Sequence, residues 1–331
     1  MKKYILDNGI LQVEILSHGA TLYSIKYKGK ECLLHHQDIE NYRTNPFYLG
    51  ATVGPLAGRV SGASFDLDGK TYKMQANEGT NFLHSGPGGI SFKDFEEKGY
   101  QAKGQDAHLV LECISEEGET GIPGKKRIEV EYRIQGPRLT MVIRAESDKA
   151  TYINITNHAY FNLNADKSLS VANHLLEIGA DKYVAMDSKL IAKEIRDVEA
   201  SPFDFRKPKE LSYLFENTAC QPGEKAPVKG LDHPYIFGKK SNDQVKASIS
   251  CPEAGLRMDF FTTYPAANIY TANSMDGGHK VNEGIESFSH QGICFEGQYV
   301  PDYMNHDFLE GPVIMPGRTY EEKLAWEFSE I

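Results

Sequence analysis

Apolar and polar positions alternate along much of the chain, most clearly over residues 127–134. Ile128, Val130, Tyr132 and Ile134 fall on one parity; Arg127, Glu129, Glu131 and Arg133 fall on the other. A period of two predicts a strand with one buried face and one wet face. Turn residues follow at Gln135-Gly136-Pro137-Arg138, and Leu139 to Ala145 resumes as a strand, so an antiparallel meander is expected. His108 to Ile114 and Tyr152 to Leu163 also read as strands. Asn8-Gly9 and Asp68-Gly69 sit between apolar residues, the strongest short signal for a hairpin, and Lys28-Gly29 marks another turn. Helical signals are sparse: Lys209 to Glu216 predicts one short helix, and Asp187 to Val198 fits neither period. Residues 216–230 are rich in Pro, Gly, Asn and Lys and read as a loop leading into Leu231-Asp232-His233-Pro234. With no internal repeat and no linker, the pattern predicts an all-β chain, one large antiparallel β-sandwich with few short helices, forming a single domain over residues 1–331.

Composition strengthens this picture and narrows the partners. The 331 residues include 18 Tyr, 16 Phe and 30 Gly but 1 Trp, which favours strands and tight turns. Lys+Arg 36 against Asp+Glu 46 gives a net charge of −10, unsuited to a nucleic-acid backbone partner. No apolar run approaches the ~18 residues of a membrane helix. The apolar run after Met1-Lys2-Lys3 stops at Asp7, short of the roughly 7–15 residues of a secretion signal. Cys32, Cys113, Cys220, Cys251 and Cys294 are odd in number and widely spaced, which predicts reduced thiols in a cytoplasmic chain rather than a disulfide frame or a zinc site.

The chain carries no nucleophile elbow, phosphate loop, zinc helix or dinucleotide fingerprint. What remains is a set of polar residues in apolar or glycine-bearing settings. Arg59, in Gly54-Pro55-Leu56-Ala57-Gly58-Arg59-Val60, reads either as a structural ion pair or as a donor fork for ligand oxygens. His84 follows Phe82-Leu83, where a satisfied core histidine competes with a functional one. On a continuous strand, Thr156, His158, Tyr160 and Asn162 would share one face, either a binding floor or a wet outer surface. Asp232 precedes His233-Pro234 and suits a turn as well as a site. Glu296 follows the apolar run Gly292-Ile293-Cys294-Phe295, where a carboxylate is costly unless paired or used. Such a set suits hydroxyl-rich ligands and proton transfer: a carboxylate base and a histidine acid can open and close a hemiacetal ring without a cofactor.

These segments resemble the aldose 1-epimerase (galactose mutarotase) family. The matching pieces run in the family's order across nearly the whole chain: Gly58-Arg59-Val60, Asn77 with Leu83-His84-Ser85-Gly86, Asn157-His158-Ala159-Tyr160-Phe161-Asn162-Leu163, Leu231-Asp232-His233, Phe295-Glu296-Gly297-Gln298 and Pro301-Asp302-Tyr303-Met304-Asn305. The resemblance implies a large β-sandwich, a monosaccharide substrate and no cofactor. It implies that Glu296 takes the proton of the anomeric hydroxyl, that His158 protonates the ring oxygen, and that His84 hydrogen-bonds nearby. Arg59, Asp232 and Tyr160 would bind the sugar, with Asn77 in support. Departures from the family pattern are Pro55 for Arg, Gly58 for Asn, Ser85 for Gly, no Trp in Gly89 to Phe95, and Tyr264-Pro265-Ala266-Ala267-Asn268 in place of a Gln-Pro-Gly segment. A glycoside hydrolase using Asp232 and Glu296, a non-catalytic sugar binder and a sugar-phosphate mutarotase stand as alternatives. With reference pKa values near ~4.3 and ~6.5, an ionised Glu296 beside a protonated His158 calls for a site that raises the histidine. Glu296 or Asp232 is expected to do so, giving a bell-shaped pH profile.

Overall fold

The computed structural model of the chain describes residues 1–104, 106–216, 230–238 and 243–331. Lys126–Gln135 and Arg138–Ser147 pair antiparallel from Lys126↔Ser147 to Gln135↔Arg138, as the alternation predicts. Ile128, Val130, Tyr132 and Ile134 are fully buried. On the opposite parity, Arg144 reaches Glu129 and Glu131, and Arg127 reaches Glu112. This meander lies within a nine-stranded antiparallel sheet. Its order is Glu96–Gln101, His108–Ser115, Lys126–Gln135, Arg138–Ser147, Tyr320–Glu330, Leu256–Thr262, Ala247–Cys251, Leu175–Ile178 and Lys209–Glu210.

A six-stranded sheet covers it, in the order Tyr160–Phe161, Ile293–Gln298, Ala266–Tyr270, Asp232–Ile236, Lys182–Met186 and Ala192–Asp197. Aromatic rings join the two layers, with Phe295 on Phe260 at 5.7 Å and Phe161 on Trp326 at 6.1 Å between centroids. A four-stranded sheet begins with the hairpin Lys3–Asp7 and Leu11–Leu16. Its turn is held by the Asn8 side chain, which accepts from the backbone N–H groups of Ile10 and Leu11 at 3.0 and 2.9 Å. Leu6, Leu11, Val13 and Ile15 join the same apolar cluster as the two larger sheets.

Three segments differ from the sequence expectation. Tyr152 to Leu163 is not one strand but the short pieces Thr151–Tyr152, Thr156–Asn157 and Tyr160–Phe161. The Asn157 side chain causes the break: its carbonyl accepts from Ala159 N–H at 3.0 Å and its amide donates to Gly50 O at 2.8 Å, competing with ladder bonds. Lys209 to Glu216 begins as a two-residue strand, and only Ser212–Glu216 is helical. Ala192–Asp197 resolves the ambiguous segment as an edge strand. Most of the expected loop, residues 217–229 with Cys220, lies outside the described residues. Cys32, Cys113, Cys251 and Cys294 are free and buried. No helix among the described residues is long and apolar enough to cross a membrane.

Candidate active site

Residues directly opposite in an antiparallel ladder share a face, so pairings in the six-stranded sheet assemble a floor row by row. One row is Tyr160, Cys294, Tyr270 and Asp232. The next is Glu296, Asn268 and Pro234; the third is Gln298, Ala266 and Ile236. The alternate residues Phe295, Ile269, Ala267 and Tyr235 point the other way into the core. This parity puts a carboxylate and two amides on one side of a strand pair whose other side is apolar. Above the floor opens a cavity of about 380 Å³ lined by Glu296, His158, His84, Arg59, Asp232 and Tyr160 among others.

Glu296 is 1% exposed. Its Oε1 accepts from Asn268 Nδ2 at 3.2 Å, and its Oε2 has no hydrogen-bond partner among the described residues. The same Asn268 nitrogen donates to Asp232 Oδ1 at 2.9 Å, tying both carboxylates to one amide. Burial first, then the Asp232 charge, pushes the Glu296 carboxyl up to about 8, against the pull of Asn268 and Arg59.

His158 sits at the strand break, its backbone held by Ala51 O and Gly50 N–H at 2.9 and 3.0 Å. The ring stacks on Tyr160 at 5.1 Å, and its Nε2 stands 3.8 Å from Glu296 Oε2, beyond a direct hydrogen bond. Nδ1 lies 3.5 Å from Cys294 Sγ, leaving Nε2 as the nitrogen that meets the cavity. Burial lowers this imidazole to about 4, while its own backbone hydrogen bond and Asp232 work against that. The expected upward shift of the histidine therefore does not occur: Asp232 acts in the anticipated direction, but desolvation outweighs it. With the carboxyl raised and the imidazole lowered, a proton shared by the pair favours Glu296 over His158.

His84 takes a left-handed conformation, φ +51°, followed by Ser85 at +63° and Gly86 at +59°. The Ser85 hydroxyl holds this turn, donating to Leu56 O at 3.0 Å and accepting from Leu56 N–H at 2.8 Å. Gly58 N–H donates to His84 Nδ1 at 3.1 Å, so the neutral ring carries its proton on Nε2. Burial, then His158 and Arg59, hold His84 well below the usual imidazole range. His84, His158 and Glu296 have ligand atoms within 4.8 Å of one another, a metal-like grouping. A protonated Nε2 on His84 makes that nitrogen a donor instead of a ligand, which suits a sugar oxygen better than a cation.

Arg59 is engaged in ion pairs. Its Nε and Nη2 form a fork with Glu78 at 2.6 and 2.8 Å, while Nη1 lies 3.5 Å from Asp232 Oδ2 in the cavity wall. Burial opposes the guanidinium charge, and Glu78 and Asp232 more than offset it. Tyr160 contributes its ring, its hydroxyl donating to Phe47 O at 3.0 Å. Asn77 stands outside the cavity lining; its amide pairs both ways with the Leu83 backbone, at 3.0 and 2.7 Å, and so steadies the residue before His84. Thr156 and Asn162 do not line the cavity with His158 and Tyr160; the Asn162 amide donates instead to Leu169 O and Gln291 O. Sequence reading missed Glu78, Asn268, Tyr48 and Gln298 as lining residues. The signal for Asn268 was one amide amid Ala266, Ala267 and Ile269.

The Gly58 departure has a steric cause. Gly58 has φ +76°, and a Cβ there would lie 2.3 Å from Pro301 Cγ. Gly58→Asn is expected to destabilise the chain by about 2–3 kcal/mol, read as a lower urea midpoint that Pro301→Ala partly restores. An unchanged midpoint would mean the Pro301 ring yields without cost.

The aldose 1-epimerase family profile matches residues 2–326. The chain is 30% identical over 335 residues to the galactose mutarotase of Bos taurus, covering 99% of this chain and 94% of the bovine protein. It is 30% identical over 334 residues to the aldose 1-epimerase of Escherichia coli strain K12, covering 97% and 93%. Among solved structures, the GalM/aldose epimerase homologue from C. elegans superposes with a TM-score of 0.89 at 25% identity, covering 100% of this chain and 99% of that one. The galactose 1-epimerase from Lactobacillus acidophilus NCFM gives 0.87 at 26%, covering 98% and 93%. The fold and the matches along the chain agree: the chain belongs to the aldose 1-epimerase family of isomerases.

Proposed function

We propose that the chain interconverts the α and β anomers of a free aldose such as galactose or glucose by acid/base ring opening and reclosure. The observation that carries this reading is the unpartnered Glu296 Oε2, held 3.8 Å from His158 Nε2 at the floor of the cavity. Ionised Glu296 takes the proton from the anomeric O1–H while protonated His158 gives one to the ring oxygen, and the C1–O5 bond breaks. The O1–H bonding pair closes the C1=O1 double bond of the aldehyde and the C1–O5 pair passes to O5, which takes the His158 proton, leaving Glu296 protonated and His158 neutral. Rotation about C1–C2 presents the other carbonyl face, and both transfers reverse on closure. The two protonation states hold the same number of protons, so no proton is exchanged with solvent in a turnover. His84 Nε2–H donates to a ring or C1 oxygen, Arg59 and Asp232 hold hydroxyls, Tyr160 supplies a wall, and Asn77 supports through Leu83. Buried free thiols fit a cytoplasmic chain.

Asp232 and Glu296 share one amide donor on one sheet face, which favours ring opening over hydrolysis, where two carboxyl groups flank the scissile bond. Optical rotation of freshly dissolved α-glucose and α-galactose tests the reading: relaxation faster than buffer is expected for at least one. Buffer-rate relaxation with hexoses, pentoses, 6-deoxy sugars and sugar phosphates alike would defeat it. The pair is competent while it holds one proton, so kcat/KM should be bell-shaped. Its acid limb lies near the His158 value of about 4 and its alkaline limb near the Glu296 value of about 8. A profile with no fall above pH 8 would count against the shared proton.

A further inference from the structure

Gln298 is 1% exposed, and neither its amide nitrogen nor its carbonyl has a hydrogen-bond partner among the described residues. Other buried amides are engaged: Asn157 on Gly50 O, Asn162 on Leu169 O and Gln291 O, and Gln291 on Lys167 O. An unpaired buried amide is costly, so one retained beside a ligand cavity points to a ligand group that completes it. Gln298 lines the same cavity as Glu296 and lies two residues along the same strand face, a separation of about 6.5–7 Å.

The order of groups along that strand fixes which part of a sugar meets it. His158 lies over the far side of Glu296, against Cys294 at 3.5 Å and stacked on Tyr160. C1 of a cyclic aldose carries O1 and is flanked in the ring by O5 and C2. With O1 at Glu296 and O5 at His158, C2 is directed toward Gln298. We propose that Gln298 is a substrate-binding residue that holds the C2 hydroxyl, its carbonyl accepting the hydroxyl proton and its NH₂ donating to the hydroxyl oxygen. The inference rests on the ring-opening reading of the site and narrows the substrate class to aldoses that carry a hydroxyl at C2.

The test measures kcat and KM by polarimetry for glucose, galactose and their 2-deoxy analogues, with wild type, Gln298→Met and Gln298→Ala. Wild type is expected to favour each parent sugar over its 2-deoxy analogue by about tenfold or more in kcat/KM. Both variants should act on parent and analogue within about twofold of each other, with the loss on the parent sugar mainly in KM. The near-isosteric Met variant should melt no lower than wild type, since it removes an unpaired amide; if it does not fold, the Ala variant decides. Discrimination retained in the folded variants, or absent in wild type, overturns the assignment while leaving the mutarotase reading intact. A wild type inactive on every aldose overturns both.

Discussion

Glu296→Gln is expected to lower kcat by about 10²–10⁴-fold while making the chain more stable at neutral and alkaline pH. The loss follows from removing the base at O1, with the glutamine carbonyl still able to accept from Asn268. The gain follows from linkage. Glu296 titrates near 8 in the folded chain against an ordinary 4.5, so between those values the folded chain keeps a proton the unfolded chain releases. Stability from this group is therefore fully present below about 4.5 and is lost as pH rises through about 8. Glutamine does not titrate, so the variant should gain about 3 kcal/mol over wild type at pH 7 and about 1 kcal/mol or less at pH 5. Urea melts at the two pH values measure the difference. A variant no more stable at pH 7 than at pH 5, relative to wild type, would show that the buried carboxyl carries no such penalty.

His158→Asn should also cost about 10²–10⁴-fold in kcat, and its residual activity should change shape with pH. Wild type needs one proton on the pair, whereas the variant needs only an ionised Glu296. Burial and Asp232 raise that carboxyl, and both causes survive the substitution. Residual kcat/KM should accordingly climb through about pH 8 and level off, with no alkaline decline. A bell of wild-type form at reduced height would mean that another group supplies the ring-oxygen proton.

The strand pattern was legible because each large sheet has an apolar side, and alternation at Ile128, Val130, Tyr132 and Ile134 reports that side directly. Glu296 stood out for a related reason, as a carboxylate after an apolar run, whereas Asp232 before His233-Pro234 suited a turn equally well and lies instead at the start of the strand Asp232–Ile236. For Asn77 the sequence carried no sign of how it would act, and the bonds to the Leu83 backbone supply that. The kink at Asn157 was hidden because asparagine's competition with the backbone leaves no mark on hydrophobic period. Glu78 and Asn268 act across the cavity, 19 and 28 residues from Arg59 and Glu296, a distance no local pattern spans. The pKa balance was invisible for the same reason, since desolvation of His158 depends on every element around it.

The active floor and the apolar core are read from the two parities of one strand, Ile293–Gln298, with Phe295 and Glu296 as neighbours. A single inserted or deleted residue within that strand would exchange them, presenting a phenylalanine to the cavity and a carboxylate to the core. Reshaping of this site is thereby confined to substitution: its positions can be rewritten one at a time, but its reading frame cannot slide. For an engineer seeking a new substrate, positions 234, 268 and 298 line the cavity beside Glu296 and form a small grid whose chemistry can be redrafted while the base stays in place.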